Sequence, residues 1–194
     1  MPSEPIKNLE IHYQPLTPEN WQDFENLFGP KGACAGCWCM WWRLKRSEFD
    51  KQKGEGNKQA MKEIIHSGEI PGILAYYKDQ PIAWCSIAPR EDFSLLDRSR
   101  ILKPIDDNPV WSVICLFVAK PNRRKGITPL LLKAAIKYAR DNGAKIIEGY
   151  PIDTKNDNYP VVFAGTGLYS AFKKAGFKEC ARRSETRPIM RFYI

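Results

Sequence analysis

Apolar and polar positions along the chain predict strands and helices arranged around one strand–turn–helix unit. Between Trp111 and Ala119 nearly every residue is apolar or β-branched, with no alternation of polar positions. Both faces of such a strand are normally covered, so we expect it in the middle of a sheet. From Ile127 to Ala139, apolar residues recur three, four, seven and eight positions apart, which predicts a helix with one buried face. Pro129 in the first turn and Gly143 after the last one are typical of helix ends.

The rest of the pattern predicts strands on both sides of this unit and helices before and after it. Helical patterns begin at Thr17 and occupy most of Arg43 to His66 and of Gly167 to Ala175, while Pro151 to Pro160 has loop composition. The predicted strands are Leu9–Gln14, Gly72–Tyr77, Pro81–Ala88, Ala144–Tyr150, Phe177–Arg183 and Pro188–Tyr193. Without repeats or a low-complexity linker, residues 1–194 are expected to form one α/β domain with a mixed sheet flanked by helices.

The turn between the central strand and the long helix carries the most distinctive chemistry. Arg123, Arg124 and Lys125 are consecutive cations, and Gly126 follows them directly before the helix. Free backbone amides, the positive end of the helix dipole and side-chain charge would meet there, an arrangement that suits a phosphate or pyrophosphate. The turn lacks the glycine spacing of a Walker loop or of a dinucleotide-binding loop. A basic, solvated helix start is the simpler alternative.

The six residues Arg123-Arg124-Lys125-Gly126-Ile127-Thr128 resemble the Gln/Arg-x-x-Gly-x-Gly/Ala motif of the GNAT superfamily of N-acetyltransferases. The predicted order of strands and helices also resembles the order in that family, over essentially the whole chain. Thr128 departs from the motif, where glycine or alanine is usual. The resemblance implies that acetyl-CoA binds through the motif and through the central strand. The residues it implicates are Leu116, Phe117, Val118, Arg123, Arg124, Lys125, Gly126, Ile127 and Thr128.

For catalysis, the resemblance implies direct attack of an amine on the thioester, with a tyrosine as the usual proton donor to the departing thiolate. The corresponding position, four residues before Gly176, is Phe172. Tyr169, one turn earlier, is the candidate substitute. Glu148 is the candidate general base because it is the one carboxylate within an apolar strand, although a surface or salt-bridged role is the alternative. Loss of the tyrosine also leaves open a non-catalytic CoA-binding module.

A second unusual stretch, from Lys31 to Trp42, combines cysteines with tryptophans. Cys34, Cys37 and Cys39 are close enough to share a soft metal, but no fourth ligand is evident, so we expect no metal site. A redox function or an acyl-carrying cysteine remains an alternative. Packing of small and large side chains is the simplest interpretation. The resemblance further implies that this region lines the acceptor pocket, with Trp38, Trp41 and Trp42 as its wall.

Composition limits the partners. The 194 residues carry a net charge of +8, and the 30 lysines and arginines are spread along the chain without a nucleic-acid recognition motif. Specific nucleic-acid binding is therefore not expected, whereas an anionic coenzyme would suit a basic rim. The N-terminal residues lack the apolar segment of a secretory signal, and no apolar run could span a membrane, so we expect a cytoplasmic protein. A small-molecule or peptide amine is the expected acceptor, and the oligomeric state, a homodimer included, stays open.

Overall fold

The computed structural model describes residues 11–154 and 165–194. Their seven strands form one sheet in the order β1-β2-β3-β4-β5-β7-β6. Only the β4–β5 pair is parallel, and every other neighbouring pair is antiparallel. The strands are β1 (Ile11–Pro15), β2 (Gly72–Tyr77), β3 (Gln80–Pro89), β4 (Trp111–Val118), β5 (Ile146–Gly149), β6 (Lys178–Arg182) and β7 (Pro188–Tyr193).

Six α-helices lie within the described residues. They are α1 (Trp21–Phe28), α2 (Arg46–Lys51), α3 (Glu55–His66), α4 (Ser94–Arg98), α5 (Ile127–Asp141) and α6 (Tyr169–Ala175). The predicted α/β fold and its mixed sheet are confirmed, and most predicted boundaries lie within two residues of the observed ones. The beginning of the first predicted strand, and most of the predicted loop from Pro151 to Pro160, lie outside the described residues. No helix within the described residues is long and apolar enough to cross a bilayer.

Three apolar clusters cover the two faces of the sheet. One face packs against α5 and α6, and its core includes Val113, Leu116, Leu131 and Phe172. The opposite face packs against α1 and α3 over the first half of the sheet. Over the second half, that face is covered by α4 and its flanking segments around Phe93. As the unbroken apolar pattern predicts, β4 therefore lies between covered faces.

Candidate active site

The central strand β4 contains a bulge immediately before the predicted cofactor-binding residues. Ser86 and Ile87 are consecutive in β3 but pair with Cys115 and Val113, so Ile114 is the extra residue in β4. Ile114 and Cys115 consequently pack on the face that also carries α4, whereas Val113 and Leu116 pack against α5. A bulge re-aims the side chains and amides that follow it.

The two parallel strands separate directly after this point. The β4–β5 pairing runs from Trp111 opposite Ile147 to Val113 opposite Gly149, and the rest of β4 has no pairing with β5. The amide of Leu116, two residues after the bulge, donates to the carbonyl oxygen of Gly165 over 2.7 Å. The chain that follows β5 is bonded to the same short segment, because the amide of Ile152 donates to the carbonyl oxygen of Gly167 over 2.8 Å. The open side of β4 thus presents its polar backbone to a segment outside the sheet.

The basic turn lies at the end of the separated strand and at the beginning of α5. Arg124 and Gly126 have positive φ values of 63° and 76°, and no side chain caps the helix. None of the backbone amides from Arg124 to Thr128 donates to another described residue. A Cβ at Gly126 would meet no atom within 4 Å. Free amides, helix N-terminus and cations therefore coincide, as an anion site requires.

Arg123 differs from its two basic neighbours because its side chain folds back onto β4. Its Nε donates to the carbonyl oxygen of Val118 over 2.9 Å, and its guanidinium lies 5.9 Å from the ring centroid of Phe117. This arrangement fixes the turn against the strand. Arg124 remains exposed, and Lys125 is partly exposed, so their charges are available to a ligand.

The structure places Glu148 in a buried ion network. Its carboxylate accepts hydrogen bonds from Arg90 (3.0 Å), Arg191 (2.8 Å) and the Tyr150 hydroxyl (2.7 Å), and its side chain is 1% exposed. Tyr150 also contacts the hydroxyl of Ser112 on β4, and burial together with the charge of Glu148 raises the Tyr150 pKa well above its usual value. A carboxylate that is buried, accepts three hydrogen bonds and lies between two guanidiniums has no open path to an amine, which favours a structural role.

Tyr169 and Phe172 occupy different surroundings although both belong to α6. The Tyr169 hydroxyl interacts with Glu179 of β6, and burial, followed by the charge of Glu179, raises the Tyr169 pKa. The ring also lies 5.8 Å from the guanidinium of Arg182. Phe172 is fully buried, and its ring touches the positions where Cβ atoms would stand on Gly149 and Gly167, at the separation of β4 and β5. Of these two α6 rings, that of Phe172 lies at the separation of β4 and β5, and it carries no hydroxyl group.

The three tryptophans of the predicted acceptor wall lie in three environments. Trp38 is 3% exposed and packs among Trp21, Phe24 and Phe28, which places it in the core beneath α1. Trp41 is 38% exposed, with the Arg46 guanidinium 4.0 Å from its ring.

Trp42 is partly buried and packs on the same α4-side cluster as Cys115. Its carbonyl oxygen accepts a bond from the amide of Leu95 over 3.3 Å. Trp42 thus shares the α4-side cluster with Ile114 and Cys115 of β4, whereas Trp38 belongs to the α1-side cluster, against which Cys115 and Phe117 of β4 also pack.

The cysteines extend from the surface to β4. Cys34 is exposed, Cys37 is partly buried, and Cys39 is buried beside Cys115. Burial raises the pKa of the Cys37 thiol to about 11. Within residues 11–154 and 165–194, no three histidine, cysteine or carboxylate side chains are grouped to hold a metal ion. The closeness of Cys39 to Cys115 could not be inferred from their distance of 76 positions in the sequence.

Comparisons with known proteins agree with this geometry. The model of the acetyltransferase (GNAT) family matches residues 38–162. No curated protein sequence matches the chain. PaiA N-acetyltransferase from Thermoplasma acidophilum, solved in complex with coenzyme A, is similar in fold, with 16% identity, a TM-score of 0.54, and coverage of 96% of this chain and 100% of that one.

Two further solved structures share the fold. A GNAT-family acetyltransferase from Listeria monocytogenes has 9% identity and a TM-score of 0.58, with 96% of each chain covered. The ribosomal-protein-alanine N-acetyltransferase from Brucella melitensis has 14% identity and a TM-score of 0.53, with 94% of this chain and 99% of that one covered.

A mixed sheet whose parallel β4–β5 pair separates beside a basic helix start, together with the family match, defines an acyltransferase. Since the match spans more than half of its residues, the chain belongs to the GNAT acetyltransferase family. Proteins of this fold bind coenzyme A, as the solved complex illustrates.

Proposed function

We propose that the protein transfers an acetyl group from acetyl-CoA to an amine by direct attack on the thioester. The observation that carries the proposal is the end of β4–β5 pairing at Val113 and Gly149, in line with a basic turn whose amides are free. A long ligand with an anionic end and a narrow, hydrogen-bonding arm fits such a gap. Acetyl-CoA has both parts.

The proposed contacts divide between the two ends of the gap. The amides of Arg124 to Thr128 would hold the pyrophosphate, with the charges of Arg124 and Lys125 beside it. Leu116 and Val118 would bond the arm through their backbone, since alternate residues of a strand present their polar groups to the same side. The Phe117 side chain lies on the face of the sheet that packs against α1, where its ring centroid is 5.4 Å from that of Phe28.

The chemistry needs a neutral amine and a stabilised oxyanion. A free amine has a pKa near about 10, so a base or a water path must take its proton. A backbone amide on the bulged strand can donate to the oxyanion, and Leu116 is the candidate closest to the bulge. Its present acceptor, Gly165, would have to release that amide. The thiol of coenzyme A, with a pKa of about 8.5, is a tolerable leaving group without an acid.

Glu148 and Tyr169 are the two candidate residues for proton transfer, and their surroundings differ. The buried network around Glu148 supports a role in holding β5 and β7 rather than in accepting a proton. The bond between Tyr169 and Glu179 directs its hydroxyl toward β6, which weakens the case for protonation of the thiolate. Proton transfer through water is consistent with both placements.

We place the acceptor on the α4 side of β4, where Trp42 and Cys115 share one cluster. An aromatic wall suits an amine cation or a flat apolar group. The Brucella melitensis structure is named for an alanine of a ribosomal protein, and a peptide amine is accordingly one candidate class here. A small-molecule amine is the other. We also propose that the domain spans residues 1–194 and acts in the cytoplasm, without specific nucleic-acid or membrane partners.

The decisive experiment separates binding from transfer. Isothermal titration with coenzyme A would measure binding, and release of free thiol from acetyl-CoA over a panel of amines and N-terminal peptides would measure transfer. Binding together with amine-dependent thiol release is the expected result. Binding without release from any amine would contradict the transfer proposal, and absence of binding would contradict the cofactor site.

A further inference from the structure

Five of the six cysteines belong to the Lys31–Trp42 loop or to the central strands β3 and β4. Cys34, Cys37 and Cys39 belong to the loop, Cys85 to β3 and Cys115 to β4. Cys39 belongs to the α1-side cluster against which Cys115 packs, and the two side chains lie close enough to interact, whereas Cys85 packs in the cluster on the α5 side of the sheet. Cys115 is partly exposed and directly precedes Leu116. Two cysteine side chains of one cluster therefore lie beside the gap between β4 and β5.

The surroundings of Cys39 contain donors that suit a charged sulfur. The indole Nε1 of Trp84 donates to the Cys39 sulfur over 3.0 Å. The Arg43 side chain is 5% exposed, and its charge interacts with Cys39. Its Nε and Nη2 are buried and have no hydrogen-bond partner among the described residues. Its ion pair with Asp92, at 3.8 Å, is a loose one.

An arginine with two buried and unpartnered nitrogens is costly unless a negative charge appears near it during function. Burial raises the pKa of the Cys39 thiol well above its usual value, so this sulfur rests protonated. A transient thiolate at Cys39 would have both the Trp84 N–H and the Arg43 charge to stabilise it. Reactive cysteines are found in electropositive surroundings of this kind.

The backbone of the loop is strained where it approaches β4. Trp38 and Cys39 have φ values of 45° and 61°, and Ala33 and Ala35 have φ values of 63° and 49°. Positive φ is unfavourable for residues with a Cβ, and clusters of such residues occur at functional sites. The packing that holds Cys39 in this conformation places its side chain in the cluster that Cys115 also contacts.

We propose that Cys39 and Cys115 are a modification site at which a reversible disulfide joins the loop to β4. The new bond would tether the proposed acceptor wall at Trp42 to the strand that holds the thioester, and acyl transfer would stop until the disulfide is reduced. The inhibition rests on the proposed function, whereas formation of the disulfide does not.

A small disulfide such as oxidised glutathione supplies the oxidising equivalents. The Cys115 thiolate attacks one sulfur of the reagent, breaks its S–S bond and releases one glutathione thiolate. The Cys39 thiol gives its proton to the released glutathione thiolate, and the Cys39 sulfur then attacks the Cys115 sulfur and expels the second glutathione thiolate. Two protein thiols become one disulfide, and one reagent disulfide becomes two thiols. A thiol-reducing compartment reverses the reaction.

The test begins with the reduced full-length chain, which is exposed to oxidised glutathione and digested without reduction. Mass spectrometry should find the peptide of Cys39 joined to the peptide of Cys115. This result does not depend on any activity. A Cys34–Cys37 or Cys39–Cys85 linkage in its place, or no linkage, would overturn the proposal.

Matched variants connect the linkage to function. Cys39→Ala and Cys115→Ala should each abolish the linkage, whereas Cys34→Ser and Cys180→Ser, at exposed positions, should retain it. In the wild type, oxidation should lower thiol release from acetyl-CoA about tenfold or more, and dithiothreitol should restore it. Equal inhibition of Cys115→Ala by oxidation would refute the switch. Circular dichroism confirms that each variant is folded, and either alanine variant alone is sufficient for the comparison.

Discussion

The backbone amide of Leu116 donates a hydrogen bond to the carbonyl oxygen of Gly165, with 2.7 Å between nitrogen and oxygen. Gly167, two residues later, accepts the amide of Ile152. The segment that contains Gly165 and Gly167 is thereby hydrogen-bonded both to β4 and to the chain after β5, beside the gap where the thioester is expected. If coenzyme A binds in this gap as proposed, it would replace the Leu116 bond, and its affinity would include the cost of that exchange.

Gly126 and Gly143 provide a matched test of the anion site. Both have positive φ, 76° and 87°, and a Cβ on either would meet no atom within 4 Å. Substitution of either by alanine should lower the free energy of unfolding by about 1 kcal/mol, because alanine is strained at positive φ. Only Gly126→Ala should weaken coenzyme A binding, by about fivefold or more, because its Cβ would stand beside the pyrophosphate. Urea denaturation and isothermal titration measure the two effects. Equal affinities in both variants would place the pyrophosphate elsewhere.

Glu148→Gln tests the role of the buried carboxylate. The change leaves Arg90 and Arg191 facing a neutral amide in the interior, and it should lower the free energy of unfolding by about 3 kcal/mol. Asp141→Asn is the control, because its ion pair with Lys137 is largely exposed and should contribute little. Urea denaturation compares the two variants.

The pH dependence of acyl transfer separates structure from catalysis at Glu148. If the carboxylate is structural, folded Glu148→Gln enzyme should retain the pH profile of the wild type. Disappearance of the acidic limb of that profile would instead identify Glu148 as the base.

The interaction of Asp106 with Arg191 should stabilise the protein at neutral pH and be lost in acid. Its hydrogen bond from Arg191 lowers the Asp106 pKa to about 2, below the value of about 3.9 expected in the unfolded chain. The stabilisation is complete above about pH 4 and is lost as the pH falls toward 2. Asp106→Asn should therefore lower the melting temperature at neutral pH, and the difference from wild type should shrink in acid.

Tyr169→Phe examines the remaining candidate for the general acid. Since the hydroxyl interacts with Glu179, its removal should cost about 1 kcal/mol of stability and change turnover less than about threefold. The measurement is the pH profile of thiol release. A selective loss of turnover, enlarged for acyl donors whose thiol has a higher pKa, would show that Tyr169 protonates the leaving group.

Local sequence patterns were sufficient for the fold because they report local physics. The unbroken apolar run of β4 and the one-sided pattern of α5 each reflect burial, which depends on spacing along a single element. The basic turn is likewise continuous in sequence, so the residues from Arg124 to Thr128 could be proposed as an anion site from the sequence alone.

Tertiary structure alone decided what the separate elements bring together. Four features depend on residues that are distant in sequence. They are the separation of β4 from β5, the bulge at Ile114, the ion network of Glu148 and the proximity of Cys39 to Cys115. Identical residue types can be exposed or buried: Trp38 and Trp41 are three positions apart, yet one is in the core and the other is on the surface. Side-chain chemistry is encoded in the sequence, whereas charge pairing, accessibility and reactivity arise only from three-dimensional neighbours.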